Sequence, residues 1–322
     1  MLKALVTGIE GFTGRFLAAE LKQAGYEVFG LTYKQPTTEN PDVKSVHVAD
    51  LCDFAAVTRV VEKVKPDVVV HLAAIAFVAH GDVDAIYRTN LMGTRNLLEA
   101  LSRARRPLHA VLLASSANVY GFGVSSILDE TAAPAPANDY AVSKLAMEYM
   151  AKLYQDRMPL IIVRPFNYTG LGQSENFLLP KIISHVRRGA PVIELGNLDV
   201  ARDFSDVRMV VKYYRLLLEK HTARGEIYNV CSGVPYSIND VLGMVRSLSR
   251  HQFEVRVNPA FVRSNEIKVL VGSRAKLEAA VGVVPTIPLI ETLRWMLEAP
   301  VAGGGSDESL TAVTRQIAGA TT

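Results

Sequence analysis

The chain has 322 residues, about two domains' worth at a prior of ~150 residues each. Hydrophobic residues make up 49% and charged residues 21%, which excludes a disordered chain, a collagen-like repeat and a small disulfide scaffold. With 35 Lys and Arg against 32 Asp and Glu, the net charge is +3, too small and too evenly spread to make nucleic acid the main partner.

Residues 2–7 read as a strand, 12–24 as a helix ending at Gly25, and 27–31 and 45–48 as two more strands. A helix follows over 54–64, then a fully buried strand over 68–72. One long helix is predicted over 85–105, a strand over 110–114, a helix over 140–157 and a strand over 160–163. These strands are apolar throughout rather than alternating, as in a parallel sheet covered on both faces. Repeated βαβ units of this kind predict a doubly wound α/β fold of the Rossmann type. After Arg164 the rhythm breaks, with Pro165, Gly170, Gly172, Pro180, Gly189 and Pro191 between short elements. Helices are predicted over 177–188, 207–220, 238–249, 274–281 and 289–297, and short strands over 192–195, 226–230 and 254–257. The 301–322 tail, with Gly303-Gly304-Gly305-Ser306, has no period and is expected to be flexible.

Cys52 and Cys231 lie far apart and form neither a metal-ligand pattern nor a disulfide framework. No metal is expected, and a reducing cytoplasm is. The first strand begins at Leu2, so no signal peptide is expected. The longest apolar stretch, 68–79, is interrupted by His71 and is shorter than the ~18–20 residues of a membrane span.

Gly8-Ile9-Glu10-Gly11-Phe12-Thr13-Gly14 joins the first strand to the first helix. Glycines there allow a tight turn, let the backbone approach a pyrophosphate and let helix pack on strand. The helix N-terminus adds free N–H groups and a positive dipole end. The turn is expected to bind cofactor phosphates through Gly8, Gly11, Phe12, Thr13 and Gly14. The second strand ends in Gly30-Leu31-Thr32-Tyr33-Lys34, without the carboxylate that would hold an adenosine 2′-hydroxyl. Thr32 and Lys34 therefore favour a 2′-phosphate and NADPH, with NADH as the alternative. Asp50 and Leu51 follow the third strand; Asp50 either pairs with adenine or caps the next helix. The chain thus divides into a dinucleotide-binding domain, 1–165, to which 205–232 returns through the strand near 227–230. A smaller, discontinuous C-terminal substrate lobe takes 166–204 and 233–300.

Tyr140 and Lys144 stand at i and i+4 on one predicted helix, so they share a face. A free phenol has a pKa of ~10, and a neighbouring ammonium should draw it toward the working range. Ser116 follows an apolar strand and should sit at the carboxyl end of the sheet, where open α/β sheets bind ligands. Its hydroxyl can orient a carbonyl against the tyrosine.

These residues resemble the extended short-chain dehydrogenase/reductases that act on nucleotide sugars. The match runs from Met1 to Leu297 through Gly8/Gly11/Gly14, His71-Leu72-Ala73-Ala74, Asn90, Ser115-Ser116-Ala117-Asn118-Val119-Tyr120-Gly121 and Tyr140-x-x-x-Lys144. The resemblance implies that Ser116 polarises the substrate, Tyr140 is the general acid–base, and Lys144 holds the nicotinamide ribose and lowers the tyrosine pKa. It also implies cofactor contacts at Leu72, Ala73, Ala74 and Asn90, with Pro165 and Phe166 shaping the nicotinamide wall. By the same analogy the two long helices pair in a homodimer.

The second half resembles bacterial GDP-4-keto-6-deoxy-D-mannose reductases. Arg164-Pro165-Phe166-Asn167-Tyr168-Thr169-Gly170 matches their R-P-F-N-H-I-G, except that Tyr168-Thr169 replaces His-Ile. In the P-G-Q that follows there, Leu171 replaces the proline before Gly172-Gln173, and the segments 200–207, 227–233 and 258–267 match in the same way. A GDP-sugar substrate follows: Arg202 and Arg263, with Lys181 as a weaker candidate, would hold the diphosphate. Glu266 would accept from the guanine donor edge, and Asn167 would bind sugar or pyrophosphate. The 4,6-dehydratases need an acid and a base just after the catalytic hydroxyl, where this chain has Ala117 and Asn118. The Cys/His exchange of a GDP-fucose-forming epimerase-reductase is not matched by Cys52 or Cys231. Expected is a reductase of a GDP-sugar 4-ketone, giving GDP-D-rhamnose or GDP-6-deoxy-D-talose. The rivals are a nucleotide-sugar 4-epimerase with bound NAD and a non-catalytic cofactor sensor.

Overall fold

The computed structural model describes residues 1–76, 81–104, 106–121, 127–262 and 268–300. The first half runs β1 (Lys3–Thr7), α1 (Phe12–Gln23), β2 (Glu27–Thr32), β3 (Ser45–Val48), α2 (Phe54–Val64) and β4 (Val68–His71). It continues through α3 (Val83–Tyr87), α4 (Thr94–Arg103), β5 (Ala110–Ala114), α5 (Asp139–Lys152) and β6 (Leu160–Pro165). Then come β7 (Asn167–Thr169), α6 (Leu178–Arg187), β8 (Val192–Leu195), β9 (Ala201–Asp206), α7 (Val207–Glu219) and β10 (Ile227–Val230). The chain closes with β11 (Pro235–Ser237), α8 (Ile238–Ser249), β12 (Glu254–Val257), β13 (Val269–Leu270), α9 (Ala275–Val281) and α10 (Leu289–Glu298).

Seven strands form one parallel sheet in the order β10-β6-β5-β4-β1-β2-β3. The unbroken apolar strands serve both faces. Ala4, Val6, Val68, Val70, Ala110, Leu112, Ile161 and Val163 enter the core under α1 and α7. Leu5, Val69, Val111, Leu113, Leu160 and Ile162 alternate with them and enter the core under α2, α4 and α5. The strand order reverses between β1 and β4, which opens a crevice at their carboxyl ends.

The lobe is built on β9, which pairs with β11, β13 and β7, and on a separate parallel pair, β8 and β12. Its core joins α6, α8 and α10 through Ile182, Phe204, Val241 and Leu293. Asp203 stitches three of its segments together: its carboxylate accepts from Ser232 N and Oγ, Gly233 N and Gly272 N.

Two predicted helices change. The helix expected over 85–105 is interrupted by a π-helical turn, Arg88–Gly93, between α3 and α4. Gly93 packs on Leu51 there, where a β-carbon would come within 2.9 Å of the leucine side chain. The wider turn directs Asn90 inward, and such turns recur at functional sites. The helix expected to 157 ends at Lys152, because the residue before Pro159 disfavours helix and the last turns tighten to i→i−3 bonds at Tyr154 and Arg157. The strands β7, β9, β11 and β13 have no counterpart in the sequence reading. They are short and partly polar, and tertiary pairing makes them strands. The predicted tail lies outside the described residues, as do Arg263 and Glu266.

Candidate active site

Gly8 follows β1 with φ +70°, a left-handed conformation that glycine adopts without strain. A β-carbon there would stand 2.9 Å from Ala73 N, and one on Gly14 would stand 2.3 Å from Gly8 O. Gly11 precedes α1 and gives the helix no side-chain cap, so the first-turn N–H groups face the crevice with a positive dipole end. This glycine cradle fits the pyrophosphate of a dinucleotide. Ala73 N donates to Thr7 Oγ1 at 3.1 Å, which ties the Leu72-Ala73-Ala74 segment to the turn.

Thr32 is buried at the end of β2, and the Lys34 ammonium lies out over the Tyr33 ring. Asp50 accepts from Cys52 N at 2.8 Å, and it is Asp53 that caps α2 by accepting from Ala56 N. Asp50 is therefore not the cap. Leu51 is buried beside Gly93, and its carbonyl accepts from Asn96.

Behind the crevice, His71 is locked between two threonines. Thr94 Oγ1 donates to Asn90 O, so it accepts from His71 Nε2 at 2.8 Å. His71 Nδ1 then accepts from Thr7 Oγ1 at 2.7 Å. Burial pushes this imidazole down to about 3, with the Lys144 charge assisting. The unfolded chain binds the proton first, below pH ~6.5. The stability from a neutral His71 is whole above that value and is lost as pH falls toward 3. We expect the cost to reach roughly 3 kcal/mol by pH 4, at about 1.4 kcal/mol per unit. Thermal melts should show the loss between pH 6.5 and 4.5 in the parent and a flatter curve in His71→Gln.

Three side chains meet at the carboxyl end of β5. Asn138 caps α5 by accepting from Ala141 N, and so sets the helix phase just before Tyr140. Tyr140 and Lys144 are buried on the face of α5 turned to the sheet. Ser116 starts the turn after β5; its hydroxyl accepts from Asn118 N at 3.2 Å and Asn118 Nδ2 at 3.1 Å, which aims it at Tyr140. Lys144 Nζ donates to Ala114 O at 2.7 Å. Burial pushes the Tyr140 phenol up to about 12, against a lowering bond from Ser116. Burial draws Lys144 down to about 8, against a raising field from Glu148. The tyrosine pKa thus moves opposite to the sequence expectation, because desolvation of the phenolate is the largest influence on it.

Tyr168 stacks on Phe12 with ring centroids 6.0 Å apart. Its hydroxyl bonds Thr13 Oγ1 at 2.8 Å. It ties β7 to the phosphate turn and lies near Tyr140. The Asn167 Nδ2 beside it is buried with no hydrogen-bond partner, an amide donor available to a ligand. Asn90, by contrast, uses Nδ2 on Ile75 O and Ser143 Oγ and Oδ1 on Ile75 N, so it holds the loop after β4 and leaves no donor for a cofactor. Phe166, after Pro165, is buried with Tyr120, Cys231 and Leu270 rather than lining an open wall. Lys181 Nζ donates to Glu194 O and lies 4.1 Å over the Phe261 ring, while Arg202 Nη1 donates to Ala201 O at 2.9 Å. A hollow of about 460 Å³ lined by Val61, Lys65, Leu101 and Arg106 lies at the opposite, amino-terminal end of the strands.

Tyr168 and the Thr7 and Thr94 hydroxyls were not singled out from the sequence as site residues, since each acts through a contact distant in the chain; Asn118 supports Ser116 from two residues away, through a turn the sequence did not specify. Among the described residues no group of three or more His, Cys, Asp or Glu could hold a metal, and no helix is long and apolar enough to cross a membrane.

The doubly wound sheet, glycine cradle and Ser–Tyr–Lys grouping define a dinucleotide-dependent protein of the short-chain dehydrogenase/reductase type. Residues 4–231 match the NAD dependent epimerase/dehydratase family, and the chain belongs to that family. It is 36% identical to the GDP-6-deoxy-D-talose 4-dehydrogenase of Aggregatibacter actinomycetemcomitans over 87% of this chain and 92% of that one. It is 33% identical to the GDP-6-deoxy-D-mannose reductase of Pseudomonas aeruginosa over 92% of this chain and 96% of that one. Among solved structures, RMD from Pseudomonas aeruginosa complexed with NADPH superposes with a TM-score of 0.80 at 32% identity, over 92% of this chain and 98% of that one. A Burkholderia cenocepacia J2315 protein, provisionally designated an epimerase, gives 0.87 at 51% identity, over 92% and 97%.

Proposed function

We propose that this chain is an NAD(P)H-dependent reductase of the 4-keto group of GDP-4-keto-6-deoxy-D-mannose. The observation that carries the reading is the grouping of Ser116, bonded to Tyr140, with Lys144 buried one helical turn along α5, and with Ala117 and Asn118 where a dehydratase needs an acid and a base. The names of the two curated relatives, a GDP-6-deoxy-D-talose 4-dehydrogenase and a GDP-6-deoxy-D-mannose reductase, support the sugar class. The NADPH complex of the Pseudomonas aeruginosa structure and Lys34, two residues beyond the end of β2, support the cofactor.

Bound in the glycine cradle, the cofactor supplies the hydride. Ser116 and Tyr140 hold the ketone oxygen, and Tyr140 gives its proton to the oxygen as it becomes an alkoxide. A phenol held near 12 is in the form this direction requires. The Lys144 ammonium then stabilises the phenolate and holds the nicotinamide ribose. Asn167 offers its unpartnered amide to the substrate, and Arg202, Lys181, Arg263 and Glu266 form the proposed nucleotide side. The product is GDP-D-rhamnose or its C4 epimer, set by the face presented to the hydride.

The deciding experiment mixes the protein, the 4-keto sugar and NADPH and follows the reduced-nicotinamide absorbance, with product NMR for the C4 configuration. Stoichiometric oxidation is expected. The Burkholderia cenocepacia neighbour's designation favours a second reading, a 4-epimerase with retained NAD. It requires no NADPH oxidation and interconversion of an added nucleotide hexose.

The same proposal includes a cytoplasmic location and a homodimer. Val142 and Tyr149 on α5 and Leu153 at its C-cap lie seven and four residues apart along one face and are all exposed. Pairing this face with a second copy would cover it. Leu153→Glu is expected to shift a dimer toward monomer in light scattering; a parental mass would remove this face from the interface.

A further inference from the structure

We infer that Glu148, clamped by Arg164, is a positioning residue that sets the Lys144 ammonium and, through Ser115, the turn presenting the Ser116 hydroxyl. The inference rests on the roles given above to Ser116, Tyr140 and Lys144. Tyr140, Lys144 and Glu148 are spaced four apart and all are buried, so they form one column along α5. Three consecutive residues at the end of β5 meet that column. The Ser116 hydroxyl faces Tyr140, Ala114 O accepts from Lys144 Nζ, and Ser115 Oγ donates to Glu148 Oε1 at 2.5 Å.

The far end of the column is fixed from β6. Arg164 Nε donates to Glu148 Oε1 at 2.9 Å and Nη2 to Oε2 at 2.6 Å, a two-pronged pair that allows the carboxylate one orientation. Arg164 is itself held: Nη1 donates to the Tyr120 hydroxyl at 3.0 Å, its guanidinium lies 4.9 Å over that ring, and Tyr120 donates to Asn229 Oδ1. A buried ion pair is a costly way to gain stability alone, since apolar residues of the same volume often serve as well. Its carboxylate lies one helical turn beyond Lys144 and accepts from Ser115, the residue before Ser116, which gives it work at the site.

The titratable groups around Lys144 are few. Tyr140 and Glu148 share its helix, neutral His71 faces it from β4, and Arg164 on β6 is engaged by Glu148. Glu148 supplies the field that opposes burial of the ammonium. Without that charge, burial and the unbalanced Arg164 both drive Lys144 to lose its proton at lower pH.

The test uses the full chain and needs no sugar. NADPH affinity is followed by nicotinamide fluorescence from pH 6 to pH 9.5. The parent should weaken as Lys144 deprotonates near 8, and Glu148→Gln should weaken from ~1 pH unit lower. Should that variant not fold, Glu148→Gln with Arg164→Gln removes both charges and leaves no unpaired Arg164, and an acid shift in the same direction but smaller is expected, since only the lost Glu148 field then acts on Lys144. A parental profile in the variant that folds overturns the inference. Ser115→Ala leaves the ion pair whole and should lower kcat ~3- to 10-fold at unchanged NADPH affinity, with Ser115→Thr restoring it. A parental kcat in Ser115→Ala overturns the second half. If the parent does not reduce the 4-keto sugar, the proposed function fails, while the fluorescence titration still judges Glu148.

Discussion

Tyr140→Phe is expected to lower kcat for NADPH oxidation by ~10²- to 10⁴-fold, the usual range for losing a positioned general acid. The substitution removes one oxygen and keeps the ring that α5 packs against the end of β5. The Ser116 hydroxyl and its Asn118 supports remain, so the ketone can still be oriented. What disappears is the acidic proton that these contacts aim at the oxygen. Water entering a site this buried is a poor substitute, because it is not held there. NADPH affinity should change less than ~3-fold, since the glycine turn and Lys144 are untouched. The two readouts separate chemistry from binding: a fall in kcat with unchanged affinity assigns the proton to Tyr140. Retention of more than ~10% of parental turnover would remove that assignment. The parent's pH profile adds a second check. Tyr140 stays protonated across the working range, held near 12 by burial, so the alkaline loss of activity should follow Lys144 near 8.

The legible part of this molecule is the part governed by local pattern. Val68-Val69-Val70 and Ala110 to Leu113 are apolar at every position, and only a strand buried on both faces needs that. The glycine turn and the Tyr140/Lys144 spacing were readable for the same reason, because each is a short-range geometric requirement. The remainder depends on contacts between residues distant in the chain. The π-helical turn that points Asn90 at Ile75 and Ser143 depends on Gly93 meeting Leu51, some 40 residues earlier. β9 is a strand because β7, β11 and β13 pair with it, and nothing in Ala201-Arg202-Asp203-Phe204-Ser205-Asp206 alternates cleanly enough to announce it. The Tyr140 pKa shows the same limit in its electrostatics. The i,i+4 lysine is visible in the sequence, but the desolvation that outweighs it is a property of the packed site.

Gly14→Ala is expected to weaken NADPH binding by ~10- to 100-fold and to lower the melting temperature by a few degrees. Its β-carbon would stand 2.3 Å from Gly8 O, 2.6 Å from Ile9 O and 2.7 Å from Ile9 Cα. All three are backbone atoms, so no side chain can swing aside. The first turn of α1 must move away from β1, or the turn after β1 must open. Overpacking of this kind costs ~1–3 kcal/mol of stability. The larger effect falls on the ligand, because both movements displace the N–H groups that face the pyrophosphate. A loss of ~1.4 kcal/mol in those contacts is a tenfold loss in affinity. Gly25→Ala is the control: Gly25 also has a positive φ, +85°, yet nothing lies within 4 Å of its would-be β-carbon, and it ends α1 far from the crevice. It should lower stability through backbone strain while leaving NADPH affinity at the parental value. Equal affinity loss in the two variants would mean that general destabilisation, rather than the shape of the phosphate turn, limits binding. A Gly14→Ala protein that binds NADPH as the parent does would show that the pyrophosphate lies elsewhere.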